Sequence, residues 1–411
     1  MKNFARPGNG GNDKVRLSER VSNLKPSATL TITAKAKSLR AQGVDIIGFG
    51  AGEPDFDTPE NVKKEGVAAI KSGFTKYTAV GGIDELKDAI AASLKKDHGL
   101  EYSRDEILVS CGAKHSIYNI TQALFESGDE VIIPAPYWVS YPEQVALTGA
   151  TPVIMDTDEQ GLFKITPEQL QAEINERTRA LILNYPSNPT GTTYSRGELE
   201  EIVKVALDAD LIIISDEIYE KIIYADTEHV PVCSLSDKAK KSTILVNGVS
   251  KSYSMTGWRI GYAAGDKRVI SAMAKLQGQS TSNPSSISQM AALEALRGPQ
   301  ELLGKRAREF ERRKKFIVKR LNEIPGFTCF NPMGAFYVFP SISGFVGKAY
   351  GKKRIDGSIS FTEFLLEEAK VAVVPGIAFG KENYLRISYA TSMENIEEGL
   401  NRIEEAVKIL L

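Results

Sequence analysis

From Pro59 to about Arg297 the chain alternates short apolar runs with amphipathic stretches at helical spacing. The runs are Glu106–Val109, Glu130–Ile133, Ala180–Leu183, Leu211–Ile214 and Ile244–Val246, and each ends in a polar or Gly/Pro cluster. This alternation predicts an α/β fold with a mainly parallel sheet covered on both faces. In such sheets ligands sit outside the carboxyl ends of the strands. Upstream, Val21–Gln42 holds an Ala/Lys-rich helix that Ser27 or Thr29 could cap and Gly43 ends, followed by a short strand, Val44–Ile47. The texture changes after a charged helix, Leu302–Ile324. Gly326–Pro340 reads as a hairpin pair, Phe361–Lys370 as a helix, Val371–Val374 and Tyr384–Ser388 as strands, and Asn395–Leu411 as a closing helix. The expected division is therefore a disordered N-terminal extension (1–17), a large domain (58–297) and a smaller α+β domain built from 18–57 and 298–411. No internal repeat or heptad pattern is present.

Composition narrows the classes. The 411 residues carry a formal net charge of -1, which argues against nucleic acid or an anionic membrane as the main partner. No apolar stretch approaches the roughly 18 residues needed to span a bilayer. The Gly/Asn-rich start lacks the apolar segment of a secretory signal. Cys111, Cys233 and Cys329 are far apart with no CxxC, which points to a reducing, cytoplasmic setting. With His98, His115 and His229 equally scattered, no metal-site spacing exists and no metal is expected.

Candidate chemistry gathers after the strands. Lys251 follows one apolar run, and Arg259 follows it in Gly-Trp-Arg-Ile-Gly. Together they offer an amine able to form an imine and a guanidinium able to hold a phosphate; a solvated Lys is the alternative. Ser110-Cys111-Gly112-Ala113-Lys114 opens a helix whose N-terminal N–H groups suit an anion, although such turns are common. Trp138 could stack on a planar ring or simply pack. Asn188 lies in a Pro-studded turn, where it could meet a ligand or close an Asx-turn. Asp216 ends a buried run, so it needs a cationic partner; a protonated ring nitrogen would serve, and a structural Arg or a helix cap is the alternative. Arg386 sits between Leu385 and Ile387, suited to a bidentate carboxylate grip or to a buried salt bridge. Gly48-Phe49-Gly50-Ala51-Gly52 does not open a helix, so it reads as a loop that lets backbone approach a ligand and not as a dinucleotide motif.

In order and spacing these features resemble the class I aminotransferases, fold-type I enzymes dependent on pyridoxal 5′-phosphate (PLP). The match is closest to the bacterial-type aspartate aminotransferases and aspartate/prephenate aminotransferases. It runs from about Leu17 to Leu411 and rests on Lys-Pro-Ser-Ala-Thr (25–29), Ala-Gly-Glu-Pro-Asp-Phe-Asp-Thr-Pro (51–59), Ser-Asn-Pro-Thr-Gly (187–191), Ser-Asp-Glu-Ile-Tyr (215–219) and Met-Thr-Gly-Trp-Arg-Ile-Gly (255–261). The resemblance implies Lys251 as the covalent PLP anchor and proton shuttle, and Asp216 as partner of the pyridinium nitrogen. It implies Tyr219 and Asn188 at the phenolic oxygen and Trp138 over the ring. Arg259 with the Gly112, Ala113 and Lys114 segment would hold the phosphate. Tyr77 would reach the neighbouring subunit's phosphate in a homodimer with shared active sites. Arg386 and the Gly52 backbone would take the substrate α-carboxylate, near Trp138 and Asn188.

Specificity is expected at the distal end. The other aspartate aminotransferase subgroup carries an Arg shortly before Ser-Asn-Pro, whereas this chain reads Gly278-Gln279-Ser280-Thr281-Ser282-Asn283-Pro284. In the subgroup resembled, Lys114 would read the distal carboxylate, with Ser27 or Thr29 nearby, and Lys25 is associated with prephenate. Transamination between aspartate and 2-oxoglutarate is the expectation, with prephenate as a further acceptor. The rivals are an aminotransferase for aromatic, alanine or kynurenine-type substrates, a PLP lyase, and a PLP-binding regulator. The last has no room here for a helix-turn-helix.

Overall fold

The structure, a computed structural model, describes residues 15–24, 28–224 and 227–410. Lys25, Ser27 and most of the expected N-terminal extension lie outside them, as does the side chain of Thr29.

Seven strands form the main sheet: β1 (Ile107–Ser110), β2 (Glu130–Ala135), β3 (Thr151–Asp156), β4 (Thr178–Asn184), β5 (Ile212–Asp216), β6 (Thr243–Gly248) and β7 (Gly261–Ala264). Their order is β1-β7-β6-β5-β4-β2-β3. The pairs among β2 to β6 are parallel, whereas β7 runs antiparallel between β1 and β6. The apolar runs are long because both faces are covered. Val131, Ile133, Ile182 and Ile214 pack on one side with Ile117 and Ile120, and Ile132, Leu181, Leu183 and Ile213 pack on the other with Leu199 and Ile202. That period of two within an all-apolar run is the signature of a strand buried on both faces. β3 has no counterpart among the sequence-predicted strands. It is the sheet edge, Met155 is its one buried residue, and Pro152 sits where a central strand would need an N–H donor.

Seven helices frame the site and the cores beside it: α1 (Ala28–Ala41), α2 (Glu60–Lys71), α3 (Asp84–His98), α4 (Ala113–Leu124), α5 (Ser140–Ala146), α6 (Glu301–Glu323) and α7 (Met393–Val407). In α6 and α7 the apolar positions Phe310, Ile317 and Leu321, and Ile396, Leu400 and Ile403, return at helical spacing and share one core. A three-stranded sheet is formed by β8 (Tyr337–Val338), β9 (Val374–Pro375) and β10 (Leu385–Ser388) in the order β9-β10-β8. Ile47, Phe49, β8 and β10 join that core, whereas Val374 of β9 packs with Phe339 and Phe379.

Local differences from the sequence reading have backbone causes. The Gly326–Pro340 stretch contributes only β8 as a strand, and β8 pairs with β10 in place of forming a hairpin. The expected helix at Phe361–Lys370 is regular only over Ser358–Phe364 and then widens over Leu365–Ala369. Val371–Val374 splits: Val371 and Ala372 pair with Ile47 and Gly48, and Val374 pairs with Arg386. One run of valines therefore serves two sheets.

Candidate active site

The strand ends converge on a cavity of ≈ 250 Å³. Lys251, Asp216, Tyr219, Asn188 and Trp138 line it, together with Ala113, Lys114, Arg259, Gly52 and Arg386. A wider cleft of ≈ 970 Å³ adjoins it at Lys114 and Val139, but its walls hold none of Lys251, Asp216 and Arg386. The candidate residues therefore gather around the smaller space.

Three of these side chains are brought in by parallel strands or the loops after them. Asp216 ends β5 and is 3% exposed. Burial raises its carboxyl to about 6, against the opposing effect of two donors that favour the ionised form. Those donors are the Tyr141 hydroxyl at 2.6 Å and the Ile218 N–H at 3.2 Å. Lys251 follows β6, and its Nζ donates to the Gly52 carbonyl at 2.5 Å. Burial, then the Arg386 charge, lowers this amine to about 8. Roughly a tenth of it is consequently unprotonated at pH 7. Asn188 follows β4; its N–H donates to Asn184 Oδ1 at 2.9 Å, while Asn184 Nδ2 donates to the Asp216 carbonyl. Both asparagines line the cavity, and Asn184 braces the Asn188 turn against the end of β5.

Arg386 comes from β10 and is 2% exposed. It donates to Asn188 Oδ1 at 3.0 Å and to the Gly50 carbonyl at 2.7 Å, and its Nε is buried with no partner. Among the described residues no carboxylate pairs with it. A buried guanidinium without a counter-ion is costly unless an anion arrives. The described residues thus give Arg386 no structural salt bridge.

Arg259 holds a left-handed backbone (φ 56) and donates to the Thr256 and Cys111 carbonyls at 2.7 and 3.1 Å. This aims it at the start of α4, where the Ala113 and Lys114 N–H groups have no intrahelical acceptor. Two glycines permit the approach. A Cβ on Gly112 (φ +89) would stand 2.3 Å from Arg259 Nη2, and one on Gly261 would stand 2.2 Å from the Ala113 nitrogen. The Lys114 ammonium lies 4.8 Å from the Trp138 ring centre; burial, then Arg259, lowers its pKa.

A sequence profile for the family described as Aminotransferase class I and II matches residues 44–403. The chain belongs to that family. It is 50% identical over 395 residues to an aspartate aminotransferase of Bacillus sp. (strain YM-2), covering 96% of this chain and 100% of the relative. It is 49% identical over 400 residues to a probable aspartate/prephenate aminotransferase of Rickettsia conorii, covering 96% and 99%. Among solved structures, the aspartate aminotransferase of Rhizobium meliloti superposes with a TM-score of 0.93 at 45% identity, covering 97% of this chain and 100% of that one. The Thermus thermophilus aspartate aminotransferase with maleate gives 0.89 at 42% identity, covering 95% and 100%.

PLP dependence is a general property of class I and II aminotransferases, and the cavity of this aminotransferase fits such a group on three counts. Asp216 is a buried carboxylate whose raised pKa calls for a cation. The Gly112–Arg259 corner is a cradle that a single Cβ would fill. Lys251 supplies a partly unprotonated amine between them. Among the described residues, two that the sequence predicted do not line the cavity: Gly112 backs Arg259, and Tyr77 is 90% exposed. Tyr141 and Tyr337 escaped the sequence reading. Tyr141 had a usable signal, one helical turn after Trp138; Tyr337 had none, since its partners are distant in sequence.

Proposed function

We propose that the protein catalyses PLP-dependent transamination between L-aspartate and 2-oxoglutarate, giving oxaloacetate and L-glutamate, with prephenate as an additional acceptor. The observation that carries this reading is the presence, in one cavity, of the Lys251 amine, the buried Asp216 carboxylate and the uncompensated Arg386 guanidinium. The names of the Bacillus and Rickettsia relatives support the substrate assignment, as does maleate, a dicarboxylate, in the Thermus structure.

PLP when bound supplies the carbonyl and the electron sink that Cα–H cleavage needs. Asp216 would hold the ring nitrogen protonated; Tyr219 and Asn188 would meet its phenolic oxygen, and Trp138 its face. Arg259 and the Gly112, Ala113 and Lys114 backbone would hold the phosphate. Arg386, with the Gly52 backbone, would orient the α-carboxylate shared by both substrates. Lys251 Nζ would take the proton from the substrate Cα, a general-base contribution of ~10²–10⁴-fold. Lys114 is the cation at hand for the distal carboxylate, with Thr29 and Lys25 as further contributors.

Val67, Ile70, Phe74 and Tyr77 are exposed at 50%, 54%, 36% and 90%. Exposed apolar side chains this near one another in sequence support a homodimer in which Tyr77 completes the partner subunit's phosphate site. The division into a large domain (58–297) and a small one (18–57 with 298–411) is part of the same proposal. So is a cytoplasmic setting: no helix among the described residues is long and apolar enough to cross a membrane.

The test is a substrate screen on the holoenzyme that follows cofactor absorbance. Aspartate should convert the cofactor to its amine form, and oxaloacetate, 2-oxoglutarate and prephenate should restore it. Release of product without that conversion would make the protein a lyase and sink the reading. Lys251→Ala should retain PLP non-covalently and lose turnover by ~10²-fold or more.

A further inference from the structure

Tyr337 belongs to β8, is fully buried, and touches both halves of the site. Its hydroxyl lies 2.8 Å from that of Tyr219, with the two rings edge to face at 83°. The Arg386 guanidinium lies 4.6 Å from the centre of its ring. A Cβ on Gly52 would stand 3.2 Å from its hydroxyl, so the loop that meets Lys251 packs on the same atom.

Two phenols in contact hold two protons, and one contact uses one of them. The direction of the bond therefore decides which proton remains for the cavity. A cation on a phenol ring makes that phenol the more acidic and the better donor. Lys251 Nζ stands 5.9 Å from the Tyr219 ring centre, farther than the permanently charged Arg386 stands from that of Tyr337, so the stronger effect falls on Tyr337. Arg386 lies on the Tyr337 ring and can itself only donate, so the Tyr219 oxygen is the acceptor at hand for the Tyr337 proton. Tyr337 is accordingly the donor, and the Tyr219 proton is left free to point inward, strengthened by the bond it receives.

We propose that Tyr337 is a positioning residue for transamination: its hydroxyl sets the direction of the Tyr219 proton, and its ring backs the Arg386 guanidinium. The site for the substrate carboxylate and the phenol that faces the cofactor thus share one side chain. This rests on the PLP-aminotransferase reading of the site. It also gives carboxylate binding a way to be felt at Tyr219, because an anion on Arg386 weakens Tyr337 as a donor.

The experiment compares wild-type, Tyr337→Phe and Tyr337→Leu holoenzymes. Three quantities are read: the pH midpoint of the visible cofactor absorbance, the Kd for maleate as an unreactive dicarboxylate, and kcat and KM for aspartate. Tyr337→Phe keeps the ring and loses the proton, so the midpoint should rise and kcat should fall roughly 5- to 10-fold, with maleate Kd within about 3-fold of wild type. Tyr337→Leu should also weaken maleate by about 10-fold or more, because the face under Arg386 is gone. An unmoved midpoint with unchanged kcat in Tyr337→Phe overturns the proposal, as does equal weakening of maleate by both variants. Wild-type holoenzyme that fails to convert its cofactor with aspartate would overturn the parent reading, and is seen before any variant is made.

Discussion

Tyr141 donates its hydroxyl proton to Asp216 across 2.6 Å, from a helix turn that begins where Trp138 ends. A hydrogen bond to an ionised, buried acceptor contributes about 1.5–3 kcal/mol. Tyr141→Phe should therefore weaken PLP binding by roughly 10- to 100-fold at pH 6. Removing the donor lifts the Asp216 pKa further, so the defect should shrink at pH 8, where the carboxylate is ionised regardless. Titration of apoprotein with PLP at the two pH values checks this, and an equal defect at both would contradict it.

Asp216 also sets a pH dependence on the apoprotein. Its folded pKa is raised from 3.8 to about 6, so the contribution to stability is fully present below pH 3.8 and is lost as pH rises to about 6. A cationic ring nitrogen would remove that loss. The gain in Tm on adding PLP should be larger at pH 7.5 than at pH 5, and Asp216→Asn should flatten the difference. Paired thermal scans with and without PLP are sufficient.

Away from the cavity, His98 at the end of α3 meets Glu220 at 2.7 Å, the side chains being 10% and 9% exposed. Burial works against both charges, yet the pairing raises His98 and, with Lys221, drives Glu220 to about 2. Glu220 contributes above pH 4.5 and fades as pH falls toward 2; His98 contributes fully below 6.5 and fades as pH rises through its raised pKa. The pair is thus complete between those bounds. His98→Gln should cost about 3 kcal/mol at pH 6 and clearly less at pH 9, read from denaturation midpoints of the holoenzyme.

The phosphate corner can be tested by one methyl group. Gly112→Ala places a Cβ at 2.3 Å from Arg259 Nη2 and at φ +89, whereas Gly257 has nothing within 4 Å. The first change should raise the PLP Kd by about 10-fold or more, since strain of this kind costs about 1–3 kcal/mol. Gly257→Ala is the matched control and should leave Kd near wild type.

Lys114 bears on substrate choice. Lys114→Ala should raise KM for aspartate at least about 10-fold, as loss of a charge-assisted hydrogen bond does, while alanine turnover stays within a few-fold. Unchanged aspartate kinetics would take Lys114 out of the distal site.

How much of this was legible beforehand differs by residue. Asp216 could be found because a buried apolar run ending in a charge is an anomaly that demands a partner, and Lys251 because Arg259 follows it in Gly-Trp-Arg-Ile-Gly. Arg386 was legible for the same reason as Asp216, flanked by Leu385 and Ile387. β3 was missed because an edge strand needs no continuous apolar face, and Ile154 is 41% exposed. Tyr337 was illegible because an aromatic in an apolar run is ordinary core until its hydroxyl is seen to meet Tyr219, whose distance in sequence hides the pairing. The break between Val371 and Val374 was hidden too, since apolar periodicity does not say which sheet a valine joins.

The antiparallel insertion of β7 has a consequence of its own. Gly248 pairs with Gly261, so the segment from 249 to 260 is a closed hairpin loop that carries both Lys251 and Arg259. The amine and the guanidinium are therefore spaced by a ruler whose two ends are clamped in the sheet. Composition along that loop can drift while both groups keep their places, but a single inserted or deleted residue would put one of them out of register with the other. Length, more than identity, is what this loop has to preserve.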